Sequence, residues 1–343
     1  MSDLSVPKRH EKEQGTVLLT TLLIMSVMAA VSVAIMDDIR FAVKRVINVG
    51  DYAQADWYVK GAEDFAANYI AEVLGPLPVE ARNLSLQTPQ VFAFPFEGGA
   101  MTLNVRDGSH CFSLGSLVSE QGTQNAVGLR QFSSLLTALG WPANEAASLG
   151  AVLSDWIDVD SQRTPNGAED GDYLRRTPPH RTANTVLASV MELRSFDIVT
   201  EELYQSIRPY LCAREAGEMT QLNINTATPL DAFVLSTLLG GPDFLQTAIQ
   251  LIADRPVEGY ANIEALESAP ALSDFESDDR AFEQIIFSPN KLWVEAQINY
   301  RNADRIVVFE YETLDNAGAN LTYRGWGSEN LRPQIKDPNE ISE

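Results

Sequence analysis

Histidine is scarce in this chain: His10, His110 and His180 are the only ones among 343 residues. No two histidines stand at helical metal-ligand spacing, and neither His110 nor His180 stands in a Ser- or Cys-nucleophile pattern, so hydrolytic and zinc chemistry find no support. A glycine-rich phosphate loop after a strand-like run is also missing. The chain reads as a non-enzyme. Basic residues are few as well, 25 Lys and Arg against 47 Asp and Glu, for a formal charge of −22. Such a surface repels nucleic acid and anionic headgroups and attracts cations or basic partners. Two cysteines, Cys111 and Cys212, permit at most one internal disulfide, and sequence alone leaves open whether they approach each other.

What the chain does have begins at Thr16. From there to Met36 run 21 uncharged residues, roughly 30 Å of helix and enough to cross a bilayer's hydrocarbon core. Lys8, Arg9 and Lys12 precede this run, and Gly15 lies directly before it. A secretory signal carries its small-residue cleavage site after the apolar region; here the candidate processing site, Gly15 followed by Thr16, lies ahead of it, so cleavage would leave the anchor in place. A plain signal anchor with positive flanks is the alternative. The acids and bases before Thr16 balance, so the whole negative excess lies downstream.

Asp37 to Leu74 contains no proline and spaces Ile39, Val43, Val46, Val49, Tyr58, Phe65, Tyr69 and Val73 at helical intervals until Gly75-Pro76. This predicts one helix of nearly 60 residues, half membrane-embedded and half packed on a head. Strand-like runs occur near both ends, Gln90–Phe96 and Met101–Asp107 around Glu97-Gly98-Gly99, then Leu292–Asn299, Asp304–Thr313 and Leu321–Trp326. The expected fold class is α+β, a long N-terminal helix on one antiparallel sheet with a large, mainly helical insertion. The expected organisation is 1–15 leader, 16–36 transmembrane half-helix, 37–111 with 290–330 as head, and 112–289 as insertion. Helices are expected at Gln131–Ala138, Ala143–Trp156, Asn184–Leu193 and Glu201–Tyr210. A helix-hairpin-helix outline (about 220–268) follows, with helices Leu230–Leu239 and Asp243–Ala253 around Gly240-Gly241-Pro242. The scattered Trp and Tyr residues, Trp57 and Trp326 included, are expected to serve packing.

Between Asp155 and Asp172 stand six carboxylates, Asp155, Asp158, Asp160, Glu169, Asp170 and Asp172, opposed by Arg163. Crowded carboxylates with Asn166 nearby match the oxygen preference of Ca²⁺, although the EF-hand spacing fails. A solvated acidic loop is the alternative; Trp156, Pro165, Gly167 and Tyr173 favour an ordered one. A later run, Asp274, Glu276, Asp278 and Asp279, lacks such anchors and reads as solvated.

The order leader, Gly15, apolar helix resembles the class III signal of type IV pilins and type II secretion pseudopilins. That resemblance implies prepilin peptidase cleavage after Gly15 and an N-methylated Thr16. Thr20 stands where most pilins carry a Glu that pairs with the neighbouring subunit's amine, which suggests a subunit at the filament tip. Asp155-Trp156-Ile157-Asp158, Gly167-Ala168-Glu169-Asp170 with Tyr173, Glu192-Leu193-Arg194 and Asn223-Ile224-Asn225-Thr226-Ala227 together resemble the minor pseudopilin K family of type II secretion systems. Cys111-Phe112-Ser113-Leu114-Gly115 departs from the family's pattern. The resemblance implies a tip subunit that nucleates or caps the pseudopilus, with I-type and J-type minor pseudopilins, the major pseudopilin and prepilin peptidase as partners. It also implies an inner-membrane anchor with a periplasmic head, and calcium stabilising the acidic region. The alternatives are a membrane-anchored helix-hairpin-helix DNA-binding protein, which the acids around Gly240 disfavour, and a minor pilin of a type IV pilus.

Overall fold

The computed structural model describes residues 11–273, 282–314 and 318–332. With no proline to interrupt it, α1 (Glu11–Asn68) runs as one helix of 58 residues and closes in a wide π-type turn, Tyr69–Leu74. Gly75 ends it: its N–H donates to the Ile70 carbonyl at 2.8 Å, and a Cβ there would stand 3.0 Å from the Ala71 carbonyl oxygen. Pro76 then has no N–H to continue the ladder. From Val17 to Val49 the large apolar side chains of α1 face outward on every side, and this one helix is long and apolar enough to cross a membrane.

The buried stripe differs from the expected one. Ala55, Val59, Ala62 and Ala66, continued by Ile70 and Leu74, form the seam against the sheet, whereas Ile39, Val43, Val46, Val49 and Val73 are exposed. Small residues win because they let the helix lie close to the sheet. The large aromatics flank the seam: Tyr58 stacks on Phe96 at 3.9 Å between centroids, and Phe65 meets Phe94 edge-on at 4.9 Å. Ion pairs fasten the same contact, Asp56 to Arg305 at 2.6 Å and Glu63 to Arg324.

After α2 (Val79–Leu86), strands β1 (Gln90–Phe96) and β2 (Gly99–Asp107) form the hairpin expected at Glu97-Gly98, where Gly98 takes φ +87°. The insertion follows: β3 (Phe112–Ser113), α3 (Ala126–Ala138), α4 (Ala143–Ile157), α5 (Asp170–Tyr173), α6 (Glu201–Ile207), β4 (Leu211–Cys212), β5 (Leu222–Asn223), α7 (Ala232–Leu238), α8 (Leu245–Ala253), α9 (Ile263–Glu267) and β6 (Ile285–Ile286). The chain then returns as β7 (Lys291–Tyr300), β8 (Ala303–Leu314) and β9 (Gly318–Trp326). The main sheet has the order β1-β2-β7-β8-β9 and is antiparallel throughout. Leu103, Val105, Val294, Ala296, Ile298, Val307 and Phe309 of this sheet share one core with α1. The helical region has a second core, around Phe112, Phe132, Leu153, Tyr204, Leu235 and Leu251.

Several local expectations change. No helix forms over 184–189: Asn184 takes φ +48°, its N–H donates to the Trp156 carbonyl, and only a 3₁₀ turn at Val190–Ser195 follows, capped by Ser189 and Glu192. Pro209 stops α6 at Ile207 and leaves a 3₁₀ turn, Arg208–Tyr210. Around the hairpin, Pro229–Asp231 and Pro242–Phe244 turn as 3₁₀ segments, so α7 and α8 begin later than expected. Trp57 and Trp326 are 72% and 50% exposed, so neither packs in a core. The open question of the cysteines is resolved by a Cys111–Cys212 disulfide, Cα–Cα 5.7 Å, beside the parallel β3–β4 pair.

The Asn223–Thr226 segment joins the two cores. Asp107, buried at the end of β2, accepts from Asn223 Nδ2 at 2.8 Å, Thr226 Oγ1 at 2.6 Å and Ser109 N–H at 2.8 Å. Asn223 also donates to Asn83 of α2 at 3.0 Å, and Asn225 exchanges hydrogen bonds with Tyr260. Further along the same run, Thr228 with Asp231 caps the turn that leads into α7. Replacing Asn223 by Ala removes one of the two donors to Asp107 Oδ2 and the donor to the buried Asn83, and an Asn223→Ala variant is expected to lose about 1–3 kcal/mol in denaturant unfolding; an unchanged midpoint would contradict this account.

Candidate metal centre

The acidic site forms where α4 ends. Asp155 lies on its last turn, fully buried, and Asp158 closes it with its N–H on the Ser154 carbonyl. The chain then doubles back through Asn166, φ +67°, to Gly167. Only glycine fits at 167, because a Cβ would stand 2.0 Å from Asp155 Oδ2. Glu169, 6% exposed, caps the short helix α5 and accepts from Asp170 N–H at 3.2 Å.

Of the six expected ligands the structure brings three together. One carboxylate oxygen from each of Asp158, Asp160 and Glu169 lies within 4.8 Å of the others. Asp155 stands beside them, its carboxylate accepting from Thr164 N–H and Thr164 Oγ1 at 2.8 Å from the latter. Asp170 and Asp172 are committed elsewhere. Asp170 accepts from Thr182 N–H, Thr182 Oγ1 and Arg181, while Asp172 accepts from Glu169 N–H and pairs with Arg175 and Arg163. The run from Asp274 to Asp279 lies outside the described residues.

Two buried oxygens, Asp158 Oδ1 and Glu169 Oε1, have no hydrogen-bond partner. Unpaired carboxylates out of water are costly. Burial, then the neighbouring Asp160, Asp155 and Glu169 charges, push the Asp158 carboxyl up to about 6; burial also raises Asp155 and Glu169. Thr182 holds Asp170 below the usual range. Hard oxygen donors, like-charged and in part unsatisfied, fit a divalent cation of the calcium type, which Asp158, Asp160 and Glu169 could hold with Asp155 and Thr164 behind them. Behind the loop, Trp156 packs edge-on against Tyr173 at 5.2 Å and Phe196 at 5.1 Å, an ordered aromatic wall.

The raised Asp158 carboxyl sets a pH dependence. Its folded pKa lies above the unfolded value, so the metal-free folded state binds the proton more tightly, and stability from this group falls as pH rises from about 4 through about 6. In chelator, the melting-temperature difference between wild type and Asp158→Asn is expected to favour the wild type more at pH 5 than at pH 7. A difference independent of pH would refute it.

The insertion is matched by family models described as Type II secretion system (T2SS), protein K, over residues 110–216 and 222–285. The Type II secretion system protein K of Klebsiella pneumoniae is 31% identical over 267 residues, 77% of this chain and 81% of that protein. The chain belongs to the type II secretion system protein K family. The protein K of Pectobacterium carotovorum subsp. carotovorum is 29% identical over 302 residues, covering 86% of this chain and 91% of that protein. A chain of the crystal structure of the GspK-GspI-GspJ complex from enterotoxigenic Escherichia coli superposes with a TM-score of 0.64 at 25% identity, over 83% of this chain and 99% of that one. As a protein K, the chain is a minor pseudopilin of type II secretion with the α+β fold expected.

The DNA-binding alternative fails on geometry too. Arg255, the base nearest the hairpin, turns inward and donates to the Ile224 and Ala227 carbonyls at 2.8 and 2.9 Å. Asp243 and Asp254 stay exposed there, so the hairpin presents acid where phosphate contact needs base.

The junction network of Asp107, Asn223 and Thr226 and the clamping roles of Thr164 and Thr182 were not legible in sequence. Each partner lies far along the chain or is an ordinary loop hydroxyl. The Asn-Ile-Asn-Thr run itself was the available signal, since two Asn flanking one buried Ile point to paired polar groups.

Proposed function

We propose that this minor pseudopilin occupies the tip of the pseudopilus, where it nucleates or caps assembly together with I-type and J-type minor pseudopilins above the major pseudopilin, acting as a structural subunit and not as an enzyme. The observation that carries the reading is the second core: the insertion adds a body to the head that leaves little room for another subunit stacked above it. Thr20 supports it, since its hydroxyl donates to its own helix at Val17 O, 2.9 Å, and supplies no carboxylate for an amine above. The solved relative's complex contains GspI and GspJ. In this reading prepilin peptidase cleaves between Gly15 and Thr16, Thr16 is N-methylated, the anchor lies in the inner membrane and the head in the periplasm; the Cys111–Cys212 disulfide suits that oxidising compartment. Calcium is the structural ion of the acidic site.

The test has two arms. Mass spectrometry of the membrane-extracted protein is expected to show an N-methylated Thr16 as the first residue, and gold labelling of pseudopili is expected at one end only. Retention of residues before Gly15 would overturn the processing step, and labelling along the filament would overturn the tip position.

A further inference from the structure

His110 is 9% exposed where the head meets the insertion, and it takes part in neither the calcium site nor the anchor. Its ring stands between two carboxylates from distant parts of the chain. Nε2 lies 3.9 Å from Asp107 Oδ2, and Nδ1 lies 3.6 Å from Asp231 Oδ2. Asp107 ends β2 of the head, whereas Asp231 belongs to the turn that leads into α7 of the insertion.

The hydrogen bonds around the ring fix where its hydrogen sits. The Thr226 hydroxyl has one hydrogen to give; Asp107 Oδ2 at 2.6 Å takes it in preference to the Asn223 carbonyl at 3.4 Å, because the carboxylate is closer and charged. Thr226 Oγ1, 2.9 Å from His110 Nε2, must then accept from the ring, so the imidazole carries its hydrogen on Nε2. Nδ1 of the neutral ring is left with a lone pair, and it faces Asp231 Oδ2, which already accepts from Thr228 N–H and Thr228 Oγ1 at 2.7 Å each. Two acceptors cannot bond to each other. A proton on Nδ1 turns the same pair into a charge-assisted hydrogen bond.

The other charged groups near the ring are engaged with one another. A cavity of about 400 Å³ beside His110 is lined also by Arg106, Glu295, Arg332 and Tyr210. Arg106 pairs with Glu295, which also accepts the Arg332 N–H, and the Arg332 guanidinium donates to the Gly108 carbonyl. Burial and then Asp231 raise Tyr210, which keeps that phenol neutral. The carboxylates within 4 Å of the ring are therefore Asp107 and Asp231, one from each side of the junction.

We propose that His110 is a pH-sensitive clasp between head and insertion: a proton taken from solvent onto Nδ1 joins the ring to Asp231 while Nε2 stays on Thr226, and the junction is tighter in acid than at neutral pH. The unfolded chain offers that proton no such partner. This stabilisation is accordingly present in acid and is lost as pH rises through the range in which an imidazole gives up its proton.

With only three histidines in the chain, the ring can be read directly. In the full chain in detergent micelles, labelled with nitrogen-15 histidine and carrying His10→Gln/His180→Gln so that His110 alone reports, the neutral ring is expected to be the Nε2–H tautomer and to gain its second proton on Nδ1 in acid. A neutral Nδ1–H tautomer would overturn the proposal, and this arm leaves His110 itself untouched. In thermal unfolding with calcium present throughout, the advantage of wild type over His110→Gln is expected to grow by about 3 °C between pH 7.5 and pH 5.5. The titration of Asp158 is common to both proteins and cancels. In an Asp231→Asn background the same comparison is expected to show no growth. An advantage equal at every pH would make His110 a packing residue, and one that grows as pH rises, or that survives Asp231→Asn, would place the proton elsewhere; each result overturns the clasp.

Discussion

A Cys111→Ala/Cys212→Ala variant is expected to unfold at a midpoint lower by roughly 10 °C, a loss of about 4–5 kcal/mol. The size follows from the sequence separation of 101 residues that the bond spans: cross-linking so long a loop removes much of the unfolded chain's freedom. Both cysteines are buried, 0% and 5% exposed, where β3 pairs with β4 and the helical region begins, so reduction also loosens the entry to the second core. Calorimetry of the variant against wild type, and of wild type with and without reductant, checks this. Reductant that leaves the wild-type transition unmoved, with thiol labelling confirming reduction, would contradict it.

Calcium is expected to raise the melting temperature of the wild-type protein by a comparable amount. An ion that binds the folded state alone contributes about 4 kcal/mol at a thousandfold excess over its dissociation constant. Asp158→Ala is expected to remove most of this difference, because Asp158 is one of the three carboxylates that meet. The same variant in chelator is expected to be no less stable than wild type at pH 7, since the metal-free carboxylate is buried, has one oxygen without a partner and is raised to about 6. This pairing separates a ligand from a packing residue. A melting curve indifferent to chelator would show the loop to be only solvated, and a variant destabilised equally in calcium and in chelator would show Asp158 to be structural.

Much of this molecule is written in local patterns. The uninterrupted helix follows from the lack of proline between Asp37 and Leu74, and the hairpin at Glu97-Gly98 follows from two glycines between alternating strands. The acidic loop stands out because carboxylates crowd where Trp156 and Tyr173 demand order. What stayed hidden depends on long-range partners. The seam of α1 is alanine, and alanine carries almost no hydrophobic contrast, so larger residues such as Val43 and Val46 mark the wrong face. Asp170 and Asp172 look like ligands until Thr182 and Arg175 claim them. The failed helix at 184–189 was set by a left-handed Asn and a carbonyl 28 positions earlier, Trp156 O, which no local periodicity records.

The length of α1 also makes the protein a lever. At about 1.5 Å per residue the part of α1 that follows Gly15 forms a strut of roughly 80 Å, with no proline along it to act as a hinge. A push or pull along the anchor is therefore directed to the head along the helix axis, with no proline kink to divert it. The load enters the sheet in shear, through the alanine seam and through the Asp56–Arg305 pair on β8 and the Glu63–Arg324 pair on β9.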